Sequence, residues 1–84
     1  MNSQQLEQLK RAARDCACEC IDAAGPDPFD HDGDCLLPVE PLEGDWQVFE
    51  ELTGGCNPDD DEGRVFRDEY SRIMYGAGAG THKP

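Results

Sequence analysis

The chain has 84 residues, nineteen of them acidic and seven basic, for a formal net charge of −12 at pH 7. A chain this short holds one small domain, and so negative a charge argues against direct binding to DNA, RNA or an anionic membrane, because phosphate contacts need cations. Mean hydropathy is low at −0.74, no apolar run reaches the roughly 18 residues of a membrane span, and "MNSQQLEQLKRAARD" lacks the apolar stretch of a secretory signal, so the expected location is the cytoplasm.

The first predicted element is a helix capped by Ser3. Its apolar positions, Leu6, Leu9, Ala13, Cys16, Cys20 and then Ala23 or Ala24, alternate spacings of three and four. Within "DCACEC" this period turns Cys16 and Cys20 into the core and places Cys18 about 150° from the seam, toward solvent. Gly25, Pro26 and Pro28 end the helix. Residues 26–44, with four prolines and two glycines, should wrap over the core as an irregular acidic loop anchored by Phe29, Leu36, Leu37, Val39 and Leu42, with room for at most one short strand.

A short second helix, "WQVFEELT", is expected after a cap at Asp45 and before a stop at Gly54 or Gly55, with Trp46, Phe49 and Leu52 inward and Glu50 and Glu51 outward. Asn57 and Pro58 then open a third helix, whose first turn carries Asp59, Asp60, Asp61 and Glu62 near the positive end of the helix dipole. Val65, Phe66, Glu69, Tyr70, Ile73 and Met74 continue its period to Gly76. The fold class is therefore all-α: a single small three-helix domain over 1–76, followed by a flexible tail, 77–84, whose composition buries nothing. So small a core should leave only ~3–5 kcal/mol of net stability.

Three kinds of chemistry compete for these residues. Cys16 and Cys20, four apart on a helix, offer two thiolates to zinc, with Cys35, Cys56 or His31 to complete a tetrahedron, but close ligand pairs on tight turns are missing. Five cysteines also leave one unpaired if disulfides form, and reduced thiols packed as small hydrophobes are the simpler reading. "DHDGDCLLPVEP" begins like an EF-hand calcium loop, with Asp30, Asp32 and Asp34 at positions one, three and five. Cys35 then replaces the turn glycine and Pro41 the final glutamate, leaving Glu40 or Glu43 as substitutes. No catalytic residue emerges: His31 and His82 sit in loop and tail, and Cys18 lies between Asp15, Glu19 and Asp22, whose field opposes a thiolate. The chain is expected to be no enzyme and to need no cofactor.

Charge segregation is the strongest signal. From Asp15 to Gly63 there is no Lys or Arg, while sixteen carboxylates fall in that window. Duplex DNA carries one charge per ~1.7 Å of axis, so −12 equals the charge of about 20 Å of duplex, comparable to a domain of this size. The predicted contact residues are Asp30, Asp32, Asp34, Glu40 and Glu43 on the loop, Glu50 and Glu51 on the second helix, and Asp59, Asp60, Asp61 and Glu62 at the third. Their expected partner is a basic nucleic-acid-binding protein whose Lys and Arg clusters normally hold phosphates.

In size, charge and helical content the chain resembles the small acidic inhibitors that phages and mobile elements direct at host nucleic-acid machinery, among them anti-CRISPR and anti-restriction DNA mimics. The resemblance is one of character rather than motif, and carries over no functional residue. It implies occlusion of a DNA- or guide-binding groove without catalysis. Two alternatives stand beside it: a calcium- or zinc-binding module, and a structural adaptor that docks through hydrophobic residues such as Trp46, Phe49 and Tyr75 or dimerises through the first helix. The oligomeric state is open, since the basic flanks around Lys10, Arg11, Arg14 and Arg64 can also meet the acidic middle of a second copy.

Overall fold

The computed structural model describes residues 2–83, and the helices are α1 (Ser3–Ala24), α2 (Glu43–Thr53) and α3 (Asp61–Gly76). The all-α expectation holds: among the described residues the only extended pairings are two isolated antiparallel bridges, Phe29 with Cys35 and Asp34 with His82.

Helix α1 is capped one residue earlier than expected. Asn2 Oδ1 accepts the Gln5 N–H at 2.8 Å, and the Asn2 N–H donates to Gln5 Oε1 at 3.1 Å. Asn caps as well as Ser, and only from Asn2 does a Gln fall three residues on to close the reciprocal box; from Ser3 that position is Leu6. The helix stops at Gly25, whose φ of 83° L-residues avoid.

Helix α2 begins three residues ahead of the expected start. Asp45 is not its cap but lies in its first turn, where Oδ2 accepts the N–H of Leu42 at 3.0 Å. Gly54, at φ 76°, ends it, and the Gly55 N–H returns to the Glu50 carbonyl at 2.9 Å.

Helix α3 starts later than Pro58. Asn57 Oδ1 takes the Asp59 N–H at 2.9 Å and its carbonyl takes the Asp60 N–H at 3.0 Å, so residues 57–60 form a turn and only Asp61 and Glu62 lie in the first helical turn. Gly63 packs directly on this turn: a Cβ there would stand 2.0 Å from the Pro58 carbonyl oxygen.

Gln8 and Leu9 of α1, Leu52 and Thr53 of α2 and Glu62 of α3 line one cleft, while Cys16 and Cys20, Asp45 and Tyr70 meet further along. Helices α1 and α3 therefore run parallel, with α2 antiparallel to both. Parallel neighbours need a long return, which residues 25–60 supply.

The core joins Leu9, Ala13, Cys16 and Ala17 of α1 to Phe49 of α2 and Phe66, Tyr70 and Met74 of α3. Trp46, Phe49 and Phe66 form an aromatic cluster with ring centroids 5.3–5.4 Å apart. Cys16 is buried, Cys20 half-buried and Cys18 exposed, as the helical period predicts.

Some expected anchors do not hold. Leu37 is buried and Phe29 and Val39 half-buried, but Leu36 and Leu42 are 64% and 53% exposed. Successive residues of an extended segment face opposite sides, so with Leu37 inward Leu36 faces out. Leu52 is exposed because a spacing of three drifts around a helix of 3.6 residues per turn.

The tail also departs from expectation. Residues 77–80 turn back on the end of α3, the Ala79 N–H bonds the Met74 carbonyl at 2.9 Å, and Ala79 is 1% exposed in the core. Alternating Gly and Ala make this fit: Gly78 and Gly80 take φ of 108° and 75°, and alanine is small enough to enter.

Candidate functional site

The predicted contact residues fall on three parts of the surface, and each is shaped by its local fold. On the loop, the Asp30 carboxylate turns inward, and Oδ1 accepts the N–H groups of Asp32 and Asp34, both at 2.9 Å. Asp32 approaches His31 at 3.4 Å, and Asp34 accepts from His82 Nδ1 at 2.7 Å. Glu40 is exposed at the loop's end.

Glu43 and Glu50, seven apart and hence on one face of α2, flank a shallow groove with Trp46, Gln47, Cys56 and Pro58. A second, adjoining hollow takes in Gln47, Glu50 and Glu51 beside Gly54 and Gly55. The α2 carboxylates are thus brought beside the turn that leads into Asp59, Asp60 and Asp61, all exposed. Asp60 Oδ2 also accepts the Asn57 N–H at 3.3 Å. Glu62 faces the other way, into the cleft with Gln5 and Gln8.

Among the described residues, only two Lys or Arg side chains make ion pairs: Arg72 with Glu69 one turn away, and Lys83 with Asp27. Glu40, Glu43, Glu50, Glu51, Asp59, Asp60, Asp61 and Glu62 have no such partner. The molecule measures 42 × 20 × 20 Å, longer than its charge alone implies. Net −12 over 42 Å is one charge per about 3.5 Å, the spacing along one strand of a duplex and about half the density of both strands.

Sequence reading missed two participants. Asp27 is held below the usual carboxylate range, chiefly by its bond from Lys83 at 2.9 Å and also by the Phe29 N–H. No local pattern announces a contact between residues 56 apart. Asp45 is the other: besides bonding Leu42 it faces the interior, beside Cys16 and Tyr70. Burial, then the Asp45 carboxylate, pushes the Cys16 thiol up to about 12. The same two causes, with Cys20, raise the Tyr70 hydroxyl, which is fully buried without a hydrogen-bond partner of good geometry. Cys16 and Tyr70 are thus sealed inside the domain and kept neutral, the opposite of an activated nucleophile.

No protein-family model, curated protein or solved structure matches this chain. The chemistry of the site therefore rests on its own residues. Among the described residues no three His, Cys, Asp or Glu side chains stand together so as to hold a metal ion, and all five cysteines are free thiols. Neither the cysteine set nor the Asp30–Asp34 run is assembled as a metal centre, and Phe49, expected at an adaptor surface, is entirely buried. No helix among the described residues is long and apolar enough to cross a membrane.

Proposed function

We propose that this chain is a non-enzymatic, cytoplasmic inhibitor or regulator that binds a basic nucleic-acid-handling protein, such as a CRISPR effector or a restriction enzyme, and occludes the groove built for nucleic acid. The carrying observation is the row of exposed carboxylates on α2, on the turn before α3 and at the first residue of α3, Glu43, Glu50, Glu51, Asp59, Asp60 and Asp61, none of which has a Lys or Arg partner among the described residues. Cations of a partner can engage them without first breaking an internal ion pair. A charge spacing like that of one nucleic-acid strand favours a groove that tracks a phosphate backbone, and long-range attraction speeds encounter.

The anti-CRISPR and anti-restriction mimics that phages deploy are the functional analogy. Catalysis has no role in this reading, and the sealed, neutral Cys16 and Tyr70 agree with that. The test is capture by the tagged protein from nuclease-treated host lysate, eluted with rising salt. A basic nucleic-acid-binding protein released at moderate salt is the expected result; retention indifferent to salt would sink the proposal.

A further inference from the structure

The tail lies across the acidic loop as an extra extended segment. In the bridge between Asp34 and His82, the Lys83 N–H donates to the Gly33 carbonyl at 2.7 Å and the Cys35 N–H to the Thr81 carbonyl at 3.1 Å. This register makes Asp34 and His82 a close, non-hydrogen-bonded pair, which explains why His82 Nδ1 reaches Asp34 Oδ1 at 2.7 Å. Lys83, on the opposite side of the segment, extends to Asp27 Oδ2 at 2.9 Å. Among the described residues it is the one Lys or Arg whose ion pair joins distant parts of the chain, and it lands on the acidic loop.

We propose that residues 81–83 form a displaceable strap that occupies the acidic loop and competes with a basic partner for it. The inference rests on the acidic surface being the binding surface, and it adds regulation to that surface. Two features make the strap releasable. The four side chains of its two contacts, His82 with Asp34 and Lys83 with Asp27, are all more than half exposed, between 54% and 76%, so these contacts are weak and screened by salt. Its root is fixed, because Ala79 is buried while Gly80 holds a φ of 75° just before the strap. Residues 81–83 can therefore peel away without opening the core. A cation-bearing extended segment from a partner would find Asp27, Asp34, the Gly33 carbonyl and the Cys35 N–H freed together.

The test uses the full chain, a fluorescein-labelled decalysine peptide at low salt, and amide hydrogen exchange. Decalysine bound to the unaltered protein should speed exchange at Cys35 and Lys83, whose N–H groups hold the strap. The double variant H82A/K83A should bind decalysine about three- to tenfold more tightly, as expected from losing two exposed pairs that compete for the site. Arg14→Ala removes an exposed cation on α1 and, with His82 neutral at pH 7, makes the same change in formal net charge, yet it should gain less than H82A/K83A. If decalysine binds but the Cys35 and Lys83 amides keep their rates, or H82A/K83A gains no more than Arg14→Ala, the strap is overturned while the acidic-surface reading survives. If neither form binds decalysine at low salt, the acidic-surface reading itself falls and takes the competition with it.

Discussion

Replacing Gly63 with alanine should destabilise the domain although it adds a single methyl group to a helix. An added Cβ would lie 2.0 Å from the Pro58 carbonyl oxygen, 2.4 Å from its carbonyl carbon and 2.6 Å from its Cα. Favourable carbon contacts need about 3.5–4.0 Å, so the first turn of α3 and the 57–60 turn must separate by about 1 Å or more. All three atoms are backbone, so no rotamer change relieves the clash. Overpacking of this kind costs ~1–3 kcal/mol and occasionally more, partly offset by the ~1 kcal/mol by which alanine favours a helix over glycine. With an all-backbone clash placing the cost at the upper end of that range, a net loss of about 2 kcal/mol lowers the melting temperature of a domain this size by ~10 °C. Thermal unfolding followed by far-UV circular dichroism reads the shift. Gly44→Ala is the internal control: it is helical, has nothing within 4 Å of its added Cβ, and lacks a positive φ. It should gain up to about 1 kcal/mol. A Gly63→Ala variant that melts at or above the unaltered protein would refute the close approach, and with it the placement of Asp59–Glu62.

The helix cap and the buried polar groups give two further expectations. Asn2→Ala should cost about 1 kcal/mol, whereas Ser3→Ala, one residue inside the helix, should be nearly neutral in the same melting assay. Tyr70→Phe should match or exceed the unaltered protein at neutral pH, because the hydroxyl it removes is buried without a good partner. Alkaline stability follows from the raised folded values of Cys16 and Tyr70. Both groups ionise in the unfolded chain near their ordinary values of 9.0 and 10.0 but resist ionisation when folded. Their contribution is therefore complete below about pH 9 and lost as pH rises toward the folded values. Melting temperature should fall between pH 9 and 12, and less steeply in Cys16→Ala and Tyr70→Phe; parallel curves for all three proteins would contradict the assignment.

Much of the helical framework was legible because helices write their contacts at short range. The spacing of Leu9, Ala13, Cys16 and Cys20 separated inward from outward thiols, and Phe66, Tyr70 and Met74 marked the inner face of α3. Offsets of one to three residues came from capping, where Asn2 beat Ser3 through Gln5 and Asp45 acted from inside the first turn. The larger departures involve partners far apart in sequence. Nothing near Ala79 signals that it enters the core, nor does anything near Lys83 point to Asp27. For the candidate site, charge segregation was readable directly, but the inward turn of Asp30 and the covering of Asp34 by His82 depend on a loop and tail that meet only after folding. Apart from Glu40 at the loop's end, the freer carboxylates are consequently those of α2, the turn before α3 and the first residue of α3.

In the proposed function this acidic surface takes the place of nucleic acid on a basic partner. Titrating duplex DNA into the purified complex with the protein captured from lysate tests this substitution. Mutual exclusion is expected: duplex releases the chain, the chain releases duplex, and reversing Asp59, Asp60 and Asp61 to lysine weakens the chain's hold by about tenfold or more. A stable complex containing partner, duplex and chain together, unchanged by the triple reversal, would contradict it.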